Sequence, residues 1–182
     1  MSHSFDELAR AYERQVRLPW RSELSPAERV WILWYDKSLD RRVAAQVGVF
    51  ENATRAAGHG WTQLSFASLY GSWIGGHRLF KPLLRRPNEM LSVLPEFEAQ
   101  CISEARNAAS LLGPHDVLAI SGTGALFGVA SVSRLIEGIA PAVSGRLLVL
   151  FPGRYEGGRY RLLDARDGWN YHAIPIPAQP FL

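Results

Sequence analysis

The chain has 182 residues with 47% hydrophobic content, enough for one proper core and short of two independent ones. Its single cysteine, Cys101, excludes an internal disulfide and a cysteine-based zinc cluster, which fits a reducing, cytoplasmic setting. The net charge of +3 comes almost wholly from arginine, with Lys37 and Lys81 the two lysines, and it selects neither a nucleic-acid nor a protein partner by itself.

Residues 4–16 open with Ser4 and Glu7 in capping-box spacing, and Phe5, Leu8, Ala9, Tyr12 and Val16 form one stripe, which predicts a peripheral amphipathic helix. The opening residues carry acids and arginines and no apolar leader core, and no run reaches the eighteen apolar residues of a membrane span, so neither export nor membrane crossing is expected. After Pro19 and Pro26, the run VWILWY at Val30–Tyr35 is short, β-branched and aromatic and predicts a buried strand. Val43, Ala44, Val47, Phe50, Thr54 and Ala57 then recur at helical spacing up to Gly58, and residues 61–65 predict the next strand. Strand, helix and strand make a βαβ unit, and such crossovers join parallel strands.

Residues 66–94 are interrupted by Gly71, Gly75, Gly76, Pro82 and Pro87, and short helices and irregular loops are expected there. Phe97, Cys101, Ala105, Ala108 and Leu112 predict a helix stopped by Gly113-Pro114, which makes Cys101 a small core residue and not a nucleophile. Asp116–Ser121 predicts a third strand, Val132, Leu135, Ile136 and Ile139 a helix, and residues 146–151 a fourth strand. Residues 160–165 and 171–176 predict a terminal strand pair at one edge. The expected fold is a single Rossmann-like α/β domain over residues 6–176, a mainly parallel sheet flanked by helices, with residues 177–182 a tail.

Candidate chemistry lies in two places. Gly122, Thr123 and Gly124 follow a strand and precede a helix, at the carboxyl edge where open α/β sheets bind ligands, and Asp36 falls at the same edge. The glycines run Gly122-x-Gly124-x-x-x-Gly128, off the dinucleotide spacing and without a Walker lysine, so a tight β-α connection is the simpler account. For Asp36 the simpler account is a cap of the following helix. These four residues remain the candidates for a phosphate or nucleotide ligand.

Residues 151–176 interleave Arg154, Arg159, Arg161 and Arg166 with Tyr155, Tyr160, Trp169 and Tyr171, while Glu156, Asp164 and Asp167 cancel much of the charge. Three readings stay open: a protein-docking surface, internal ion pairs, or a nucleic-acid contact. The docking candidates are Arg154, Tyr155, Arg159, Arg166 and Trp169. Glu156, Asp164 and Arg166 also suggest a nuclease-like site that lacks its usual lysine. The five histidines show no metal-ligand spacing, and no metal or cofactor is assigned.

Three segments, VWILWYDKSLDRR with FENATRAAGHGW, GALFGVASVSRLIEG, and GRLLVLFPGRYEGGRYRLLDARDGWNYHAIPI, together with LPW at 18–20, resemble the BrxB family of BREX bacteriophage-resistance systems. The likeness runs from about residue 6 to 176, and RLLDARDGWNY is its most specific stretch. Where the family more usually has glycine-asparagine after YEG, this chain has Gly158-Arg159. The resemblance implies a non-catalytic accessory of a multi-protein antiviral complex. Its implied direct partner is PglZ, the alkaline-phosphatase-like component, with the other BREX components and DNA contacted less directly. No catalytic residue is carried over.

Overall fold

The computed structural model describes residues 3–165 and 168–178. β1 (Val30–Tyr35), β2 (Gly60–Ser65), β3 (Asp116–Ser121) and β4 (Arg146–Glu156) form a parallel sheet in the order β2-β3-β4-β1, with β6 (Ile174–Ile176) added parallel to β1 at the edge. Consecutive residues of a strand point to opposite faces, so near-continuous apolar runs such as VWILWY and RLLVLF supply two cores at once. Val30, Ile32, Leu118, Ile120, Leu147 and Val149 bury toward α6 (Leu94–Ala109) and α7 (Val132–Ile139). Trp31, Leu33, Val117, Ala119, Leu148 and Leu150 bury toward α1 (Phe5–Val16) and α3 (Gly48–Ala56). The Rossmann-like α/β architecture expected from the strand and helix alternation is the one observed.

The capping box at Ser4 and Glu7 is formed, with the Glu7 amide donating to Ser4 Oγ and the Ser4 amide donating to the Glu7 carboxylate. Burial leaves α1 one polar link to α3: the Tyr12 hydroxyl donates to Thr54 Oγ1 at 2.6 Å, because Thr54 Oγ1 itself donates to the Phe50 carbonyl at 2.8 Å. Burial also pushes the Tyr12 phenol well above its ordinary pKa. Tyr12→Phe leaves Thr54 without its donor, and urea unfolding is expected to show a loss of about 1–1.5 kcal/mol.

Two expectations are refined. The helical stripe over residues 36–57 is divided: a 3-10 turn at Lys37–Leu39 leads to α2 (Asp40–Ala45), and the backbone leaves helical geometry at Gln46 before α3 begins. The weak helix former Gly48 sits at that break, which allows Val43, Val47 and Phe50 all to bury. The two C-terminal strands do not pair with each other. β5 (Arg159–Leu162) folds back antiparallel on the far end of β4, whereas β6 joins the free edge of β1. The cause is Gly157-Gly158, both at positive φ (56° and 75°), which makes a two-residue hairpin turn and commits β5 to its predecessor. Pro175 in β6 is tolerated because the strand lies at an edge.

Residues 66–94 form α4 (Leu69–Gly76), α5 (Phe80–Arg85) and a 3-10 segment at Pro87–Val93, closed over a small cluster of Ile74, Leu83 and Val93. Cys101 is fully buried on α6, and burial, then the charge of Glu104, push its thiol up to about 12, as suits an inert core residue. Among the described residues no helix is long and apolar enough to cross a membrane.

Candidate functional site

In an open parallel sheet the ligand crevice lies at the carboxyl ends of the strands, where neighbouring crossovers leave to opposite faces. After β1 the chain passes to α2 and α3 on one face, after β3 it passes to α7 on the other, and β4 lies between them. Here β4 does not end at that point. It runs on through Pro152 to Glu156 and returns as β5, so the chain occupies its own crevice.

The candidate ligand residues at this edge have structural tasks. Asp36 caps the turn after β1, accepting from the Ser38 amide at 2.9 Å, and hydrogen bonding from Ser38, then the charges of Arg154 and Lys37, hold its carboxyl below the usual range. Gly122 has φ +71°, and a Cβ there would stand 2.5 Å from the Ala67 amide nitrogen. Thr123 is buried and donates its hydroxyl to the Leu150 carbonyl at 2.6 Å. A Cβ on Gly124 would meet Pro152 at 3.2 Å. The loop is therefore packed against the β2 and β4 extensions. The space left beside Asp36, closed by the ion pair of Lys37 with Asp164, is about 10 Å³, room for about one water and not for a phosphate group.

The hairpin sorts the C-terminal candidates by side. Cross-strand register sets Arg154 opposite Arg161, Tyr155 opposite Tyr160 and Glu156 opposite Arg159. Side chains alternate along each strand, so Arg154, Glu156, Arg159 and Arg161 share the outer face while Tyr155 and Tyr160 share the inner one. Tyr155 lies 4.5 Å from Tyr160 between ring centroids, and Trp169 lies 5.1 Å from Tyr160 and 6.2 Å from Phe151. Trp169 also extends the ladder, its amide donating to the Tyr160 carbonyl at 3.0 Å. Tyr155 and Trp169 thus belong largely to the wall that fastens the hairpin to the sheet. Arg166 lies outside the described residues.

The outer face is cationic. Arg154, Arg159 and Arg161 are exposed, and among the described residues none of them forms an ion pair. Asp164, a candidate partner for them, is taken by Lys37. Like charges set directly opposite, as Arg154 and Arg161 are, contribute nothing favourable to a hairpin. Arg161 is not among the docking candidates the sequence offers, and the signal that places it on this face is the period-2 alternation on either side of Gly157-Gly158.

The nuclease-like pairing does not assemble. Glu156 stands at the turn end of the ladder and Asp164 beyond its other end, and the ladder between them by itself spans about 10 Å. Among the described residues no three His, Cys, Asp or Glu side chains stand close enough to hold a metal ion. Compared with known proteins, this chain matches no family model, no curated protein and no solved structure.

Proposed function

We propose that the protein is a cytoplasmic, non-catalytic adaptor of a BREX bacteriophage-resistance system, and that it docks PglZ, the phosphatase-like component, through the outer face of the β4–β5 hairpin. The reading rests on the sequence resemblance, densest over residues 145–176, and on one structural observation. Three exposed arginines that form no ion pair among the described residues are presented on a hairpin whose inner side is anchored by Tyr155, Tyr160 and Trp169. Arginine on a rigid support loses little conformational freedom on binding and pairs in bidentate fashion with carboxylates, so an acidic patch is the matching partner surface.

The test is charge reversal with a folding control. Arg154→Glu combined with Arg159→Glu and Arg161→Glu is expected to leave the melting temperature within a few degrees of the parent and to abolish co-purification with the phosphatase-like protein. Loss of one interface anchor is worth about 2 kcal/mol, and 1.4 kcal/mol is tenfold, so two such anchors already weaken the complex by several hundredfold. Normal co-purification by the folded variant removes this face from the interface. Binding of duplex DNA that weakens steeply with salt, and that the same variant loses, assigns the arginines to phosphates instead.

A further inference from the structure

The amino edge of the sheet, opposite the hairpin, holds a charge that the adaptor reading leaves unused. Arg146 opens β4 at only 5% exposure. A buried cation is costly unless it is paired, yet among the described residues no carboxylate forms an ion pair with it. Its Nη1 donates to the Gly145 carbonyl at 3.0 Å and its Nη2 to the Arg21 carbonyl at 3.2 Å, which engages two of the five N–H donors of a guanidinium. Burial, and then the like charge of Arg29, push it below its ordinary pKa.

Aromatic rings hold this guanidinium in place. It lies 4.6 Å from the Trp20 ring centroid and 5.8 Å from that of Trp31. Trp20 is itself clamped: His59 stacks on it at 3.7 Å and 7°, Trp31 meets it edge-on at 5.5 Å, and its Nε1 donates to the Val16 carbonyl at 3.2 Å. Arg146 borders a cavity of about 270 Å³ whose walls include Leu18, Pro19, Trp20, Leu24, Trp31 and Ile174. Glu28 also borders it, but its carboxylate accepts the Ser25 amide at 2.8 Å and makes no ion pair with Arg146.

A fixed cation whose remaining donors have no partner among the described residues, set beside apolar walls, is complementary to a carboxylate carried on an apolar body. The planar guanidinium can receive both carboxylate oxygens, while the rings and aliphatic side chains cover the remainder. The volume is slightly below the usual range for drug-sized ligands, which restricts the body to an aryl or short acyl group. We propose that this cavity binds a small apolar monocarboxylate whose carboxylate pairs with Arg146.

Titration of the full chain with benzoate, benzamide and inorganic phosphate, followed by tryptophan fluorescence and calorimetry, tests the assignment. Benzoate is expected to saturate one site at least tenfold more tightly than benzamide, its neutral isostere, with phosphate showing no saturable binding. Arg146→Lys keeps the charge but loses the planar fork and the stacking, and is expected to weaken benzoate at least tenfold. Leu24→Trp fills the cavity from its wall, leaves Arg146 intact and is expected to abolish binding, so it decides the matter if Arg146→Lys does not fold. Equal affinity for benzoate and benzamide, phosphate binding as tight as benzoate, or undiminished benzoate binding by Leu24→Trp overturns the proposal. None of these outcomes bears on the hairpin, because the two sites occupy opposite edges of the sheet.

Discussion

Phe97→Ala is expected to lower the free energy of unfolding by about 3–5 kcal/mol in urea denaturation. Phe97 is fully buried on α6, where it meets Tyr70 edge-on at 5.1 Å and Trp73 at 5.3 Å. It is the link between the sheet-packed helix and α4, so truncation leaves a cavity and also releases the aromatic contacts that fasten residues 69–76. The lost transfer free energy and its cavity account for that figure, and the two lost ring contacts place the loss toward its upper end. Phe97→Leu retains most of the volume and should cost less than about 1.5 kcal/mol. A loss below that value for Phe97→Ala would mean that α4 is not held to the core through this ring.

Gly122→Ala should be nearly as damaging, at about 2–5 kcal/mol. The figure combines a left-handed backbone penalty of about 1–2 kcal/mol with overpacking of about 1–3 kcal/mol, since the new methyl group would press on the Ala67 backbone. Gly128→Ala is the internal control. Its φ is +78°, but nothing lies within 4 Å of the added Cβ, so only the backbone penalty applies. Thermal and urea unfolding of the two variants therefore separate strain from contact. A phosphate-binding loop makes the contrary demand: Gly122→Ala would leave stability nearly unchanged and remove a ligand. Stability unaltered by Gly122→Ala would reopen the carboxyl edge as a binding site.

Much of this fold is legible in the residues alone, because the signals are local and mutually consistent. VWILWY is apolar throughout, and so are VLAI within DVLAIS and LLVLF within RLLVLF, as a strand buried on both faces requires, and the helices between them make the crossovers parallel. The Ser4 cap, the Asp36 cap and the tight turn at Gly122 are short-range devices whose partners lie within a few residues, or whose backbone demands a glycine. The alternation of arginine and aromatic residues after Phe151 is equally visible, but its meaning is not. Without the hairpin turn at Gly157-Gly158 the two kinds of residue look like one mixed patch. With it, cross-strand register sends arginines outward and rings inward.

Other features were decided by tertiary structure, since they depend on groups remote in sequence. β6 has three residues and no preference of its own, so its partner was set by the unpaired edge that β1 offered. The crevice beside Asp36 is closed by Gly153, Leu163 and Asp164, which its flanking sequence does not announce. Arg146 reads in sequence as the hydrophilic start of a strand. Its environment is made by Trp20 and by the Arg21 carbonyl, which lies 125 residues earlier in the chain. Periodicity reports which side of an element is buried, whereas the partner of a buried charge is settled only when distant segments close around it.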